Sequence, residues 1–532
     1  MSEHLKVARA AGVVGIATLA SRIMGYVRDM VMSWAFGTGM AADAFYVAYR
    51  IPNLLRELLA EGSMSAAFIP VFTETLTNES RESARHLANA VFARLLVILV
   101  ALTGLGIIFA PYVVKVVAWG WAYRAEHDKY LLGVTLTRIM FPYLIFIGLA
   151  ALAMGMLNSL RSFLTPALSP VMLNIMTISA VILSLQFLAE PILGVALGVM
   201  LGGIFQFLIQ VPGLKRQGMM VRPQFAPTHP GVKKIGILVL PIFASSSVNQ
   251  LNILVGTIFA SFLATGSITY LFYGMRFIHF PLGIFGIAIA TAVLPTMSAQ
   301  AARRETEAFR ETLSFGLRLV FFIMFPAMAG LIMLRVPIVN LLLEHGQFDR
   351  ISTQGVSAAL LCYSVGLWAF AGVRIVAQAF YALQDTKTPV KIALLAFSTN
   401  ILLCTAFVSW TPLQHAGLAL ATSLAAMLNI SLLTIQLRKK IGRIDGRRIL
   451  MSLLKIVPAS IAMGVIGWWV SRQPVWGLTG NTLFKAELLG CAIAVSSVFY
   501  ISVMWVLRSE ELKFVWGVIR RKTGSRSQDQ GA

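Results

Sequence analysis

Eight ionisable side chains fall between Ser21 and Glu61, in a stretch otherwise apolar enough to lie in a membrane: Arg22, Arg28, Asp29, Asp43, Arg50, Arg56, Glu57 and Glu61. A charge at the bilayer centre costs roughly 2.5–3.5 kcal/mol, so eight facing lipid would cost on the order of 20 kcal/mol, more than a typical fold's net stability. They must line something wet, and the wall of a transport cavity is the simplest such surface. Arginine suits phosphate, because its planar fork binds two oxygens and stays charged when desolvated. The expected ligand is therefore anionic and phosphate-bearing.

These residues need helices to hold them. Asp43, Arg50, Glu57 and Glu61 recur at intervals of seven, seven and four, which puts them on one helical face; Arg22 and Asp29 share a face of the preceding helix. Arg28 and Arg56 fall on other faces, as expected where helices cross a broad aqueous cavity. Arg276 lies far along the chain, near the place equivalent to Arg50 in an internal repeat described below, so an arginine from each half could close on one ligand. The competing reading is a salt-bridge network, since the four acids and four bases of 21–61 cancel in formal charge. Arg276 and Arg94 tip that balance positive.

Catalytic readings find little support. The seven histidines are scattered without metal-ligand spacing, and no Walker A motif is present. Cys362, Cys404 and Cys491 stand singly inside apolar runs, as buried inert thiols would. Gly346-Gln347-Phe348-Asp349, followed by Ser352, reads as a turn leading into a helix cap. Asn249, Asn252 and Asn400 could supply cation ligands, but hydrogen bonding between helices accounts for them more simply. No cofactor is expected, and a coupling ion cannot be read from the residues.

The chain has 532 residues, 58% hydrophobic and 12% charged, against about 25% charged in soluble proteins. With a mean hydropathy of +0.78 and helix-length apolar runs, it reads as an all-α polytopic membrane protein. Fourteen transmembrane helices are expected, at about 8–36, 42–76, 87–118, 131–158, 166–188, 192–213, 234–263, 268–298, 308–342, 353–382, 389–410, 415–437, 450–471 and 483–507. The net charge of +22 would suggest nucleic acid on a soluble protein. Here the basic residues crowd one set of loops. About 27 of the 44 Lys and Arg fall on one side if the N-terminus is cytoplasmic, and about four on the other, which places both termini in the cytoplasm. Arg22 and Arg28 interrupt the first apolar run, so it does not read as a cleaved signal peptide.

The sequence also repeats. Ile69-Pro70-Val71-Phe72 is echoed by Leu294-Pro295-Thr296-Met297, Thr165-Pro166 by Thr388-Pro389, Gly194-Val195-Ala196-Leu197 by Gly417-Leu418-Ala419-Leu420, and Leu214-Lys215-Arg216 by Leu437-Arg438-Lys439, all about 223–225 residues apart. Six helices are thus duplicated in parallel, which predicts two six-helix lobes with a substrate site between them. The expected organisation is an N-lobe at 1–216, a cytoplasmic linker at 217–233, a C-lobe at 234–440, two extra helices at 450–507, and a basic cytoplasmic tail at 508–532 suited to lipid headgroups.

The segment Ser21-Arg22-Ile23-Met24-Gly25-Tyr26-Val27-Arg28-Asp29, with Ala42-Asp43-Ala44-Phe45, Pro52-Asn53-Leu54-Leu55-Arg56 and Ala60-Glu61-Gly62, resembles the MviN/MurJ family of the multidrug/oligosaccharidyl-lipid/polysaccharide exporter superfamily. The resemblance continues through Arg276 with Phe280-Pro281, Gly346-Gln347-Phe348 and Asp385-Thr386-Lys387-Thr388-Pro389, nearly the whole chain. It implies a lipid II flippase of the bacterial inner membrane, serving peptidoglycan synthesis and cell shape. Arg22, Arg28, Arg56, Arg276 and Ser21 would bind substrate; Asp29, Asp43, Arg50 and Glu61 would line or gate the cavity. The last two helices would form a lipid-tail groove. Lipid II, membrane lipids and peptidoglycan-synthesis proteins are the implied partners, with function as a monomer. The helical faces alone leave Arg56 outside the site; the resemblance brings it in. Where some relatives carry a second base after that arginine, this chain has Glu57, to which no substrate role is given. Two alternatives stay open: an exporter of another polyprenyl-linked oligosaccharide, and a membrane scaffold for cell-wall synthesis.

Overall fold

A computed structural model describes residues 3–58, 65–224, 229–478 and 480–517, with side chains described from 15 onward except at 65–66 and 240–249. Glu61 and the tail from 518 lie outside the described residues. Every regular element among those described is helical, as an apolar chain in lipid requires when each backbone N–H and C=O must be satisfied within its own segment.

Among the described residues, ten helices are long and apolar enough to cross a bilayer, running from Arg81–Ile108 to Thr482–Val506. The pair Arg350–Val365 and Leu367–Ala382, bent by 42°, makes an eleventh if taken as one span. The other expected spans are the charged ones or fall partly outside the described residues. Helix Glu3–Phe36 carries Arg22, Arg28 and Asp29. Helix Met40–Arg56 has only 17 residues before the undescribed stretch, and Ser65–Asn78 follows it. In Pro230–Ser261 the described apolar part is Gln250–Ser261.

The chain forms two compact units: Met1–Thr269 with His345–Asp349, and Tyr270–Glu344 with Arg350–Ala532. The boundary falls inside helix Ser267–Pro281, so helix Pro230–Ser261, which begins the second sequence repeat, packs in the first unit.

In the first unit, helices Leu164–Phe187 and Pro191–Leu208 meet through glycines four apart. A Cβ on Gly194, Gly198 or Gly202 would come within 2.5 Å of Ser184 Cβ, 2.3 Å of Ala180 Cβ and 2.6 Å of a Leu173 methyl. Small residues allow this close approach, which drives helix association where lipid removes the hydrophobic gain. The Gly346–Phe348 turn packs in this unit too. Gln347 N–H donates to Trp34 O at 2.9 Å, and Phe348 is buried. Gly37 and Gly346 both hold positive φ, and a Cβ on either would sit 2.3 Å from a backbone oxygen of the other strand of this contact, Gln347 O or Trp34 O. Only glycine fits there.

In the second unit, helices Lys387–Trp410 and Gln414–Ile441 pack together, with Gly417, Ala421 and Ala425 buried at the places that match the three glycines. Buried Arg318 holds Glu510 at 2.7 Å and Glu511 at 3.1 Å, and Ser452 Oγ donates to Glu511 at 2.8 Å. Near the other ends of the last two helices, Lys485 Nζ donates to Asn340 Oδ1 at 3.0 Å and Leu478 O at 2.8 Å. The backbone echoes the sequence repeat: Arg161 and Gln384 share a φ of 58°, and Gly218 and Gly442 both close a helix at positive φ, at the same offset of about 223–225 residues.

Candidate functional site

Most sequence-predicted site residues ride on two consecutive helices of the first unit, Glu3–Phe36 and Met40–Arg56. Three polar groups are defined by hydrogen bonds among the described residues.

The first is Arg28 with Asp29. The guanidinium donates from Nη2 and Nε to Asp29 Oδ1 at 2.7 and 3.1 Å. The side chain of Asp29 is 4% exposed and that of Arg28 15%, so the acid lies inside while the base keeps an open edge. Five N–H donors sit on a guanidinium, and this pair uses two of them. About two turns earlier lie Ser21 and Arg22, both half-buried. Asn174 Nδ2 donates to Ser21 O at 3.3 Å, fixing helix Leu164–Phe187 against this part of the first helix.

The second is Asp43, 1% exposed, which accepts four hydrogen bonds. Lys129 Nζ donates to Oδ2 at 3.0 Å and Gly266 N–H to Oδ2 at 2.8 Å; Thr269 N–H and Oγ1 donate to Oδ1 at 3.0 and 2.7 Å. The two backbone donors stand at the start of helix Ser267–Pro281, Gly266 just before it and Thr269 in its first turn, where N–H groups lack intrahelical partners and favour an anion. Lys129, 3% exposed, also meets Glu126 at 3.4 Å and Thr265 Oγ1 at 3.3 Å, with Trp121 beneath its ammonium. Asp43 thus has its capacity filled by protein. Lys129 is among the about four bases that the sequence assigns to the side opposite the cytoplasm, and a pairing across 86 residues leaves no periodic trace.

The third group surrounds Arg56. Its Nε donates to Asn53 Oδ1 at 3.1 Å; Asn53 Nδ2 donates to Glu57 Oε1 at 2.9 Å; Gln250 Nε2 donates to Glu57 Oε2. Arg56 Nη2 lies 3.8 Å from Glu57 Oε1. The side chains of Arg56 and Glu57 are 19% and 31% exposed, so this group also opens outward. Pro52 sits one turn earlier, and the helix passes into wider π-type winding at Glu57 and Leu58. Such winding rotates side chains off the regular face and is frequent at functional sites. Arg50 is half-buried on the same helix.

Arg276 belongs to the second unit, half-buried on helix Ser267–Pro281, which likewise runs into a π-helical turn, Leu282–Gly286. The two π turns stand at nearly the same place in the repeat. No group of three His, Cys, Asp or Glu that could hold a metal occurs among the described residues.

Comparison with known proteins gives a consistent result. Residues 32–511 match the family model described as lipid II flippase MurJ. A probable lipid II flippase MurJ of Vibrio cholerae is 36% identical over 510 residues, covering 94% of this chain and 96% of that protein. The lipid II flippase MurJ of Burkholderia cenocepacia is 35% identical, covering 92% and 95%. Among solved structures, one of lipid II flippase MurJ in an inward closed conformation aligns with a TM-score of 0.76 at 28% identity, covering 93% of this chain and 99% of that one. An inward-facing multidrug resistance MATE transporter of the MOP superfamily aligns with a TM-score of 0.65 at 16% identity, over 80% and 98%, a likeness of fold.

Proposed function

Since the chain belongs to the lipid II flippase MurJ family, we propose that it carries lipid II across the bacterial inner membrane with its intramembrane arginines as the binding groups. It is a multi-pass membrane transporter, not an enzyme. The observation that supports the arginine assignment most directly is that the side chains of Arg28 and Arg56 stay 15% and 19% exposed beside their carboxylates.

Lipid II joins an undecaprenyl tail to a sugar-peptide headgroup through a diphosphate. In this reading Arg22, Arg28, Arg56 and Arg276 replace the water around the diphosphate, with Ser21 beside them. Charge-assisted, two-pronged hydrogen bonds offset the loss of hydration where a neutral donor could not. Asp29 keeps Arg28 charged and aimed between substrates. Asp43 acts through the first turn of helix Ser267–Pro281, and Arg50 and Glu61 line the same path. The tail stays in lipid along helices Gly446–Ser471 and Thr482–Val506. The finer architecture belongs to the proposal as well: fourteen crossings, two six-helix lobes rocking in alternating access, both termini in the cytoplasm, and a working monomer. With two or more charges crossing, a membrane potential contributes about 2.3 kcal/mol per charge per 100 mV, enough to bias the cycle.

The test is an assay of lipid II in each leaflet. Depletion of the protein should leave lipid II accumulating on the cytoplasmic side, whereas a scaffold would leave its distribution normal. Arg28→Ala or Arg22→Ala, at undiminished membrane abundance, should abolish flipping. Normal transport by both variants would refute the arginine assignment.

A further inference from the structure

We infer that residues 110–123 form a surface for phospholipid headgroups, lying along the bilayer boundary where helix Arg81–Ile108 leaves the membrane, and that through it the boundary braces the turn at 261–269. With both termini in the cytoplasm, that boundary is the periplasmic one.

The exposed stripe on helix Arg81–Ile108 is aliphatic, with Ile98, Ala101, Leu105 and Ile108 facing out. Its spacing in threes and fours runs on through the breaks at Phe109 and Ala118 into helices Ala110–Val117 and Trp119–Tyr123. There its chemistry changes: the exposed residues become Tyr112, Lys115, Trp119 and Tyr123. Tyrosine and tryptophan gather where hydrocarbon meets headgroups, and lysine reaches the phosphates from there. The change falls where the bilayer ends. Arg94 Nη1 donates back to Ala90 O at 3.1 Å, so its charge points toward the start of the helix. About 20 helical residues cross the hydrocarbon core, and counted from Ala90 they end at Ala110.

The other face of the segment is protein. Ala110, Val114 and Val117 are buried, and Tyr130 Oη donates to Pro111 O at 2.8 Å, which presses the segment onto helix His127–Met140. Standing upright, 110–123 would rise about 20 Å beyond the core, far past a headgroup layer about 5–8 Å deep. The break at Ala118, with φ −124° and ψ 50°, turns the chain aside. A segment lying over keeps its aromatic and basic residues in the layer, as interfacial amphipathic helices do.

The same segment grips its neighbour. Gly120 N–H donates to Ser261 Oγ at 2.9 Å, and a Cβ on Gly120 would come within 2.3 Å of the Phe262 nitrogen, so helix Trp119–Tyr123 sits directly on the end of helix Pro230–Ser261. Arg124 Nη1 donates to Leu263 O at 2.7 Å and Phe262 O at 3.3 Å, carbonyls at a helix end where partners within the helix run out. The chain then reaches Gly266 and Thr269, which hold Asp43. Whatever seats 110–123 in the bilayer therefore also seats this turn.

The experiment uses the full-length protein in proteoliposomes of phosphatidylethanolamine and phosphatidylglycerol, its three cysteines replaced by alanine and lipid II transport retained. Nitroxide labels at Val116→Cys and Ala122→Cys are read for depth by collision with oxygen and with a water-soluble nickel chelate. Ile98→Cys serves as the reference in hydrocarbon and Arg222→Cys as the reference in water. Both labels should lie within about 5–10 Å of the boundary between headgroups and acyl chains. Their depths should agree within about 4 Å, whereas an upright helix would separate them by about 9 Å. A label as open to nickel as that at Arg222→Cys overturns the inference and leaves the stripe to a protein partner, and the upright separation overturns it too. Lys115→Glu/Trp119→Glu sets two acids against the phosphates. At undiminished membrane abundance it should lower the maximal rate of lipid II transport about threefold, with half-saturation within about twofold. Lys115→Glu alone, a single change at an exposed position, should lower that rate about twofold. Parent rates in both variants overturn the bracing role, and so does a loss confined to half-saturation, which marks a contact with substrate instead.

Discussion

At the scale of single residues, the intramembrane charges divide by what they leave open. Arg28 and Arg56 each meet a carboxylate and keep part of the guanidinium accessible, whereas Asp43 and Lys129 are closed on all sides. A buried ion pair gives little net stability while intact, but removing one member strands the other at a cost of about 3–5 kcal/mol. Asp43→Ala would leave the Lys129 ammonium with Glu126 and Thr265, and the N–H groups of Gly266 and Thr269 without their acceptor. The expected outcome is a clear drop in the unfolding temperature of the detergent-solubilised protein. Part of it should return in Asp43→Ala/Lys129→Met, which removes the stranded charge. Equal stability of Asp43→Ala and the parent would show that the pair holds nothing in place.

Helix ends carry the next level of order. Asp385 caps helix Lys387–Trp410, accepting from Thr388 N–H at 3.0 Å and Thr388 Oγ1 at 2.6 Å, and it pairs with Lys440 in the last turn of Gln414–Ile441. Desolvation pushes its pKa up, but the hydrogen bonds from Lys440 and Thr388 outweigh this and hold the carboxyl well below the usual carboxylate range. The folded pKa is thus below the unfolded value of about 3.9. The stabilisation is fully present above that unfolded value and is lost as pH falls from there toward the folded pKa. Thermal unfolding of the parent and of Asp385→Asn should therefore differ by a constant margin between about pH 5 and 8 and converge below about pH 4. A margin that persists unchanged at pH 3 would remove the carboxylate from this account.

For the molecule as a whole, each unit is fastened internally by charges placed where helices end. In the second unit Arg318, on helix Thr306–Met333, is closed by Glu510, Glu511 and, through Glu511, Ser452. Burial pushes the Glu511 carboxyl up, but bonds from Ser509, its own backbone and Ser452, and the Arg318 charge, bring it below its ordinary value. A chain ending at Arg508 would leave Arg318 without either acid. It should lose stability by about 3–5 kcal/mol, and Arg318→Met in the shortened chain should recover part of the loss. Undiminished stability after truncation would show that the cluster fastens nothing.

The sequence by itself determined that the chain is helical and membrane-embedded, because apolar runs of helix length have no other way to satisfy their backbone in lipid. It also determined the duplication, written in Pro70 and Pro295, Gly194 and Gly417, and it pointed to Arg22, Arg28 and Asp29, since charges in such runs stand out singly. Tertiary structure alone decided how those charges divide. Asp43 finds Lys129 86 residues away and the first turn of a helix more than 220 residues on; Glu57 finds Gln250; Arg318 finds Glu511. Periodicity records which face of a helix a residue occupies, and it keeps no record of which distant helix that face will meet.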